Sequence, residues 1–102
     1  MNATELKAKV IDAMKEQGFV DFIEMFPGTT FRKNGERNYI IIKEVGRHNG
    51  TAENKSVEII ILRMTSECLR TIEGKEKISC NMGEKAIASR IARAVEKYDS
   101  IR

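Results

Sequence analysis

What this sequence lacks first is a hydrophobic run long enough to leave water. No segment approaches the roughly 18 apolar residues of a membrane span, and Met1 to Lys15 is too interrupted by charge to act as a secretion signal. A cytoplasmic protein is the expectation. Cysteine is scarce too, and Cys68 and Cys80, without a secretion signal, read as free and partly buried thiols rather than a disulfide. Zinc generally needs about four ligands, and His48 is the one histidine that could join them. No metal is therefore expected. That histidine lies in a polar loop beside Arg47 and Asn49, where a lone side chain is more often solvated than catalytic. Gly46, Gly50 and Gly74 stand singly, without the spacing of a phosphate-cradling loop. No nucleophile with a base and no carboxylate pair in a plausible cleft is visible, so the reading is of a non-enzyme with no cofactor.

What is present suffices for one core. With 41% hydrophobic residues in 102, the chain can bury a single domain spanning 1–102. Eighteen Lys and Arg against fifteen Asp and Glu give a formal charge of +3, which permits an anionic partner without demanding one.

Two amphipathic helices frame the chain. In the first, Asn2 caps with Glu5 three residues on, Gly18 supplies a left-handed stop, and Leu6, Val10, Ala13 and Met14 share a face. The second repeats the logic with Asn81 as cap before Glu84, and buries Ile87, Ile91, Ala94, Val95 and Tyr98. Between them, Phe19 to Phe26 reads as a strand ending at Pro27-Gly28. Asn34-Gly35, flanked by Thr29–Lys33 and Glu36–Val45, has the chemistry of a type I′ hairpin turn. Ser56 to Thr65, with Val57–Arg63 at its centre, is a further strand beyond the polar loop Gly46–Lys55. In Ser66 to Cys80, Leu69 and Ile72 fit a short helix while Leu69 to Ile78 around Gly74 fits a small hairpin, and the balance is slightly toward a fourth strand. The fold class is α+β: a two-layer α-β-β-β-(β)-α unit whose antiparallel sheet carries both helices on one face.

That layout poses a problem, because Tyr39–Ile42 and Ile59–Leu62 are apolar on both faces of their strands. The second face needs cover, from the Ser66–Cys80 segment or from a partner.

Binding is read from the basic residues. A two-residue turn sets Lys33 opposite Glu36 and Arg32 opposite Arg37, and two like charges across a strand pair repel by up to about 1 kcal/mol unless an anion lies between them. Alternation puts Thr30, Tyr39 and Ile41 on the face of Arg32 and Arg37, so a ring accompanies the charge. Phosphates and unstacked bases are gripped by that combination. Arg90, Arg93 and Lys97 fall at i, i+3 and i+7 as a stripe on the last helix, and Arg47 and Lys55 extend the basic surface from a loop. The expectation is a small binding protein acting on nucleic acid or a nucleoprotein complex. The competing expectation is a protein-binding regulator or inhibitor, dimeric or otherwise, that docks through an apolar sheet face or an edge strand, with Ile41 as its test position.

Two family resemblances bear on this. Glu16-Gln17-Gly18-Phe19, a helix end followed by strands, resembles the opening of small nucleases of the PD-(D/E)xK type, over about a third of the chain. That resemblance implies a carboxylate on one strand and an acidic-x-Lys on the next around Mg²⁺; the central strand here reads Ile41-Ile42-Lys43-Glu44, and Glu73-Gly74-Lys75 lies far along the chain. The order α-β-β-β-α, with a last helix opening Lys85-Ala86-Ile87-Ala88-Ser89-Arg90, is similar to that of double-stranded-RNA-binding domains. It implies a lysine cluster at the start of that helix, where this chain has Met82, Gly83, Glu84 and Lys85.

Overall fold

The computed structural model describes residues 1–46, 55–66 and 69–101. Helix α1 (Ala3–Glu16) is followed by β1 (Phe19–Asp21), β2 (Thr30–Lys33), β3 (Tyr39–Val45), β4 (Ser56–Met64) and β5 (Arg70–Ser79), and helix α2 (Glu84–Ser100) closes the order. The strands form one antiparallel sheet in sequence order, β1-β2-β3-β4-β5. The α+β layout read from the sequence is the one observed, with both helices on one sheet face. The sheet has one strand more than that order even with its bracketed strand counted, and Phe19–Asp21, the start of the strand read over Phe19–Phe26, pairs with the free side of β2. A five-stranded sheet is also two strands more than the order shared with double-stranded-RNA-binding domains.

The helices sit where their apolar stripes dictate. Leu6, Val10 and Met14 of α1 and Ile87, Ile91, Ala94 and Tyr98 of α2 are buried against Phe19, Phe31, Ile40, Ile42, Val57, Ile59, Ile61 and Ile78 of the sheet. Each fully buried aliphatic side chain contributes roughly 1.5–3 kcal/mol of transfer free energy, so this layer carries most of the stability. Asn2 Oδ1 accepts from the Glu5 N–H at 2.8 Å, and Gly18 takes φ of +96°, as the start and stop signals require. The cap of α2 differs from expectation. Gly83 is its N-cap and makes no side-chain bond. Asn81 is used one turn earlier, where its N–H donates to Ser79 Oγ at 3.2 Å in the bend that ends β5.

The strand expected over Phe19–Phe26 stops at Asp21, and the rest crosses to the other sheet face. There Phe22 and Met25 pack on Tyr39, Ile60, Ile41, Leu62 and Met64. Cover for the second face is therefore local, as one of the two alternatives required, but it comes from the β1–β2 connection and not from Ser66–Cys80. That later segment instead extends the sheet as β5, in agreement with the strand reading. The apolar sheet face offered as a docking surface is filled over this part by Phe22 and Met25.

The hairpin departs from expectation most. Glu36 N–H donates to Lys33 C=O at 3.0 Å, and of the two central residues Gly35 alone has positive φ, at +81°. This rules out type I′, which needs positive φ at both, and matches the glycine position of a type II turn. The ladder pairs Thr30 with Ile41 and Phe31 with Ile40, so the expected pairing of Arg32 with Arg37 is absent. The register observed sets Phe31 against an isoleucine rather than against Asn38, and it separates two like charges.

Asn38, freed from the ladder, becomes a clamp. Its Oδ1 accepts from the Met64 N–H at 3.1 Å and its Nδ2 donates to the Ile101 carbonyl at 3.4 Å. The Tyr98 hydroxyl is inserted beside it, accepting from the Lys33 N–H at 3.2 Å and donating to the Asn38 carbonyl at 2.9 Å. A phenol from the last helix thus replaces one rung between β2 and β3.

Candidate anion-binding edge

The register of β5 decides where its charges point. Ile61 pairs with Gly74 and Leu62 with Ile72, a bulge that leaves Glu73 as the extra residue. Beyond it the strand alternates strictly. Gly74, Glu76 and Ile78 face the helices, and Lys75 and Lys77 face the other side, opposite Ile60 and Glu58.

Glu76 is consequently a carboxylate in the helix–sheet interface, 2% exposed. Three cations of α2 converge on it. Arg93 Nε and Lys97 Nζ each lie 3.1 Å from Oε1, and Arg90 Nη1 lies 3.5 Å from Oε2. Neither contact to Oε1 has the angles of a hydrogen bond, so the attraction is Coulombic and loosely directional. Gly74 makes room for it, since a Cβ there would stand 2.9 Å from Lys97 Cδ. Three cations on one carboxylate leave two positive charges uncompensated, on side chains between 37% and 54% exposed.

Lys75 and Lys77 add to this from the underside. Both are exposed, and among the described residues neither has an ion-pair partner. They stand about 6.6 Å apart along the strand, twice the roughly 3.4 Å axial spacing of phosphates along one strand of B-DNA. No described strand pairs with the outer side of β5, so five cations bracket an open edge. Lys55 stands at one end of the same ladder, exposed, where its carbonyl accepts from the Cys80 N–H at 2.9 Å.

The other residues named from the sequence are placed apart. Arg32 is half-buried, its guanidinium 4.3 Å over the Phe22 ring and its Nη1 donating to the Glu36 carbonyl at 3.1 Å. Lys33 points to the opposite face and binds Asp99 at 2.7 Å. Tyr39 is fully buried, edge-on to Phe22, and its hydroxyl accepts from Arg70 Nη1 at 3.0 Å. Its ring is thus not available for stacking on a base. Arg37 alone of the hairpin set is exposed without an ion pair among the described residues. Arg47 and His48 lie outside the described residues, as does Cys68, while Cys80 is a half-buried free thiol. The basic stripe on α2 exists, but as a cluster tied to Glu76 and not as a free solvated row.

Sequence reasoning missed Glu76, Lys75 and Lys77. The signal was Lys75-Glu76-Lys77-Ile78 on a strand: alternation puts Glu76 on the face of a buried isoleucine, and a buried carboxylate calls for nearby cations. Among the described residues, no group of three or more His, Cys, Asp or Glu side chains is placed to hold a metal ion, and no helix is long and apolar enough to cross a membrane. Comparison with protein-family models, curated proteins and solved structures finds no match to this chain.

Proposed function

We propose that this chain is a non-catalytic binding protein that grips the phosphate backbone of nucleic acid along the β5–α2 edge. One observation carries the reading: Arg90, Arg93 and Lys97 are drawn together on a single buried carboxylate, with charge to spare, near Lys75 and Lys77, which have no ion-pair partner among the described residues. Glu76 has already restricted these long side chains, which lowers the entropy lost when they meet a phosphate. Binding of this kind is independent of base sequence, because the cluster offers point charges and guanidinium edges but no exposed ring. The two lysines also disfavour pairing between two β5 edges, which speaks against a homodimer built through that strand.

The test is a titration of fluorescent single- and double-stranded DNA and RNA at about 50 and 200 mM salt, with affinity falling as about the 0.9 power of salt per duplex phosphate neutralised. The double variant Lys75→Ala, Lys77→Ala should lower that slope by roughly two, and Arg37→Ala should leave it unchanged. An unaltered slope in the double variant, or no binding at the lower salt, removes this function.

A further inference from the structure

Helix α1 lies mainly over β3 and α2 over β5, so the two diverge and touch each other little. A groove of about 720 Å³ runs between them. Its apolar lining is Ala13 of α1 with Ala88, Ala92 and Val95 of α2, above the nearly covered Ile87 and Ile91. Its rim carries Glu16, Glu84, Glu96 and Asp99 against the single cation Lys9. In a chain of formal charge +3, this region has the opposite sign. Lys9 is 3.4 Å from Glu84, and Asp99 is held by Lys33. Glu16 on one helix and Glu96 on the other have no ion-pair partner among the described residues.

We propose that this groove docks one amphipathic helix of a partner protein, with apolar anchors against Ala88, Ala92 and Val95 and flanking Lys or Arg against Glu16 and Glu96. From Ala88 to Val95 the rise is about 10.5 Å, the span of anchors at i, i+4 and i+7 of an incoming helix. The rim acids turn away a nucleic-acid strand and select a cationic flank. The groove and the β5 edge flank α2, and Glu96 borders both, beside Arg93 and Lys97, whereas Ala92 lines the groove and not the cationic side.

The probe is a fluorescein-labelled helical peptide of about 18 residues, long enough to hold some helix alone, with apolar residues at i, i+4, i+7 and i+11 between lysines and arginines. Anisotropy is measured on the full chain. One control peptide has the same composition with the period scrambled, and another replaces its basic residues with Glu. Binding should weaken at least about tenfold for either control, for Glu16→Lys with Glu96→Lys, and for Ala92→Trp, which fills the groove from an exposed position. Thermal melts of these variants confirm that each is folded. Equal affinity for the scrambled peptide, indifference to both sets of variants, or no binding of the basic peptide overturns the proposal. So does a concentration-dependent dimer in sedimentation that Ala92→Trp abolishes. Retained nucleic-acid binding by Ala92→Trp separates failure here from failure of the β5 edge.

Discussion

Remove the cations around Glu76 one at a time and the fold should barely respond; remove all three and it should lose a large share of its stability. Each of Arg90, Arg93 and Lys97 is between 37% and 54% exposed, so each alone resembles a surface ion pair, worth about 0–1 kcal/mol. Two partners remain after any single deletion, and Glu76 stays compensated. The triple change to Ala strips every counter-charge from a carboxylate that is 2% exposed in the native protein, and breaking a buried pair of this kind costs about 3–5 kcal/mol. Against a typical total of about 5–15 kcal/mol, that is a large share. At about 4 °C per kcal/mol for a domain of this size, the triple variant should melt roughly 12–20 °C lower, and each single variant by about 4 °C or less. Adding Glu76→Leu to the triple should recover most of the loss, since buried ion clusters replaced by apolar groups are often neutral or better. Thermal unfolding followed by circular dichroism at constant pH measures all five proteins. A triple loss no larger than the sum of the singles, or no recovery with Leu, would refute the idea that the three cations share one buried charge.

Other consequences follow from single contacts. Tyr98→Phe should cost about 1–3 kcal/mol in urea unfolding, because it strands the Lys33 N–H and the Asn38 carbonyl. Asn2→Ala should lower stability by about 0.5–2 kcal/mol through the lost cap bond to Glu5, measured in the same way. Gly74→Ala should shift the melting point little, because what stands in its way is the flexible Lys97 chain rather than backbone. Glu76→Gln should destabilise the fold yet strengthen duplex binding at low salt, because it removes the one anion within the cationic cluster.

How far the sequence reached depended on whether the decisive interaction was local. The α1 cap, the stop at Gly18, both apolar helix stripes and the inside faces of β3 and β4 all follow from spacing within one segment. The strand character of β5 was legible, if only as the favoured alternative. The hairpin register was not, because Asn34-Gly35 favours a tight turn locally while Tyr98 and Asn38 reward a wider one from far along the chain. The cover over Tyr39 escaped for a similar reason: Phe22 and Met25 continue the apolar pattern of a strand, yet they are spent on the opposite sheet face. In the candidate site, Arg90, Arg93 and Lys97 were found by helical spacing, but the carboxylate that gathers them lies on another element and nothing local announced it. Arg32, Lys33 and Tyr39 were legible as a charged and aromatic group and illegible as residues already engaged by Phe22, Asp99 and Arg70.

The phenol that stands in for a rung has a consequence in time as well as in space. Residues 33 and 38 belong to the first half of the chain, whereas the group that joins them is some sixty residues further on. Contacts of such sequence separation form late, because the intervening chain must be ordered first. The mouth of the β2–β3 hairpin therefore closes only after α2 has docked. Amide exchange at Lys33 should report the arrival of the last helix rather than the birth of the hairpin. A fragment ending before Tyr98 would retain the strands but leave that rung to water.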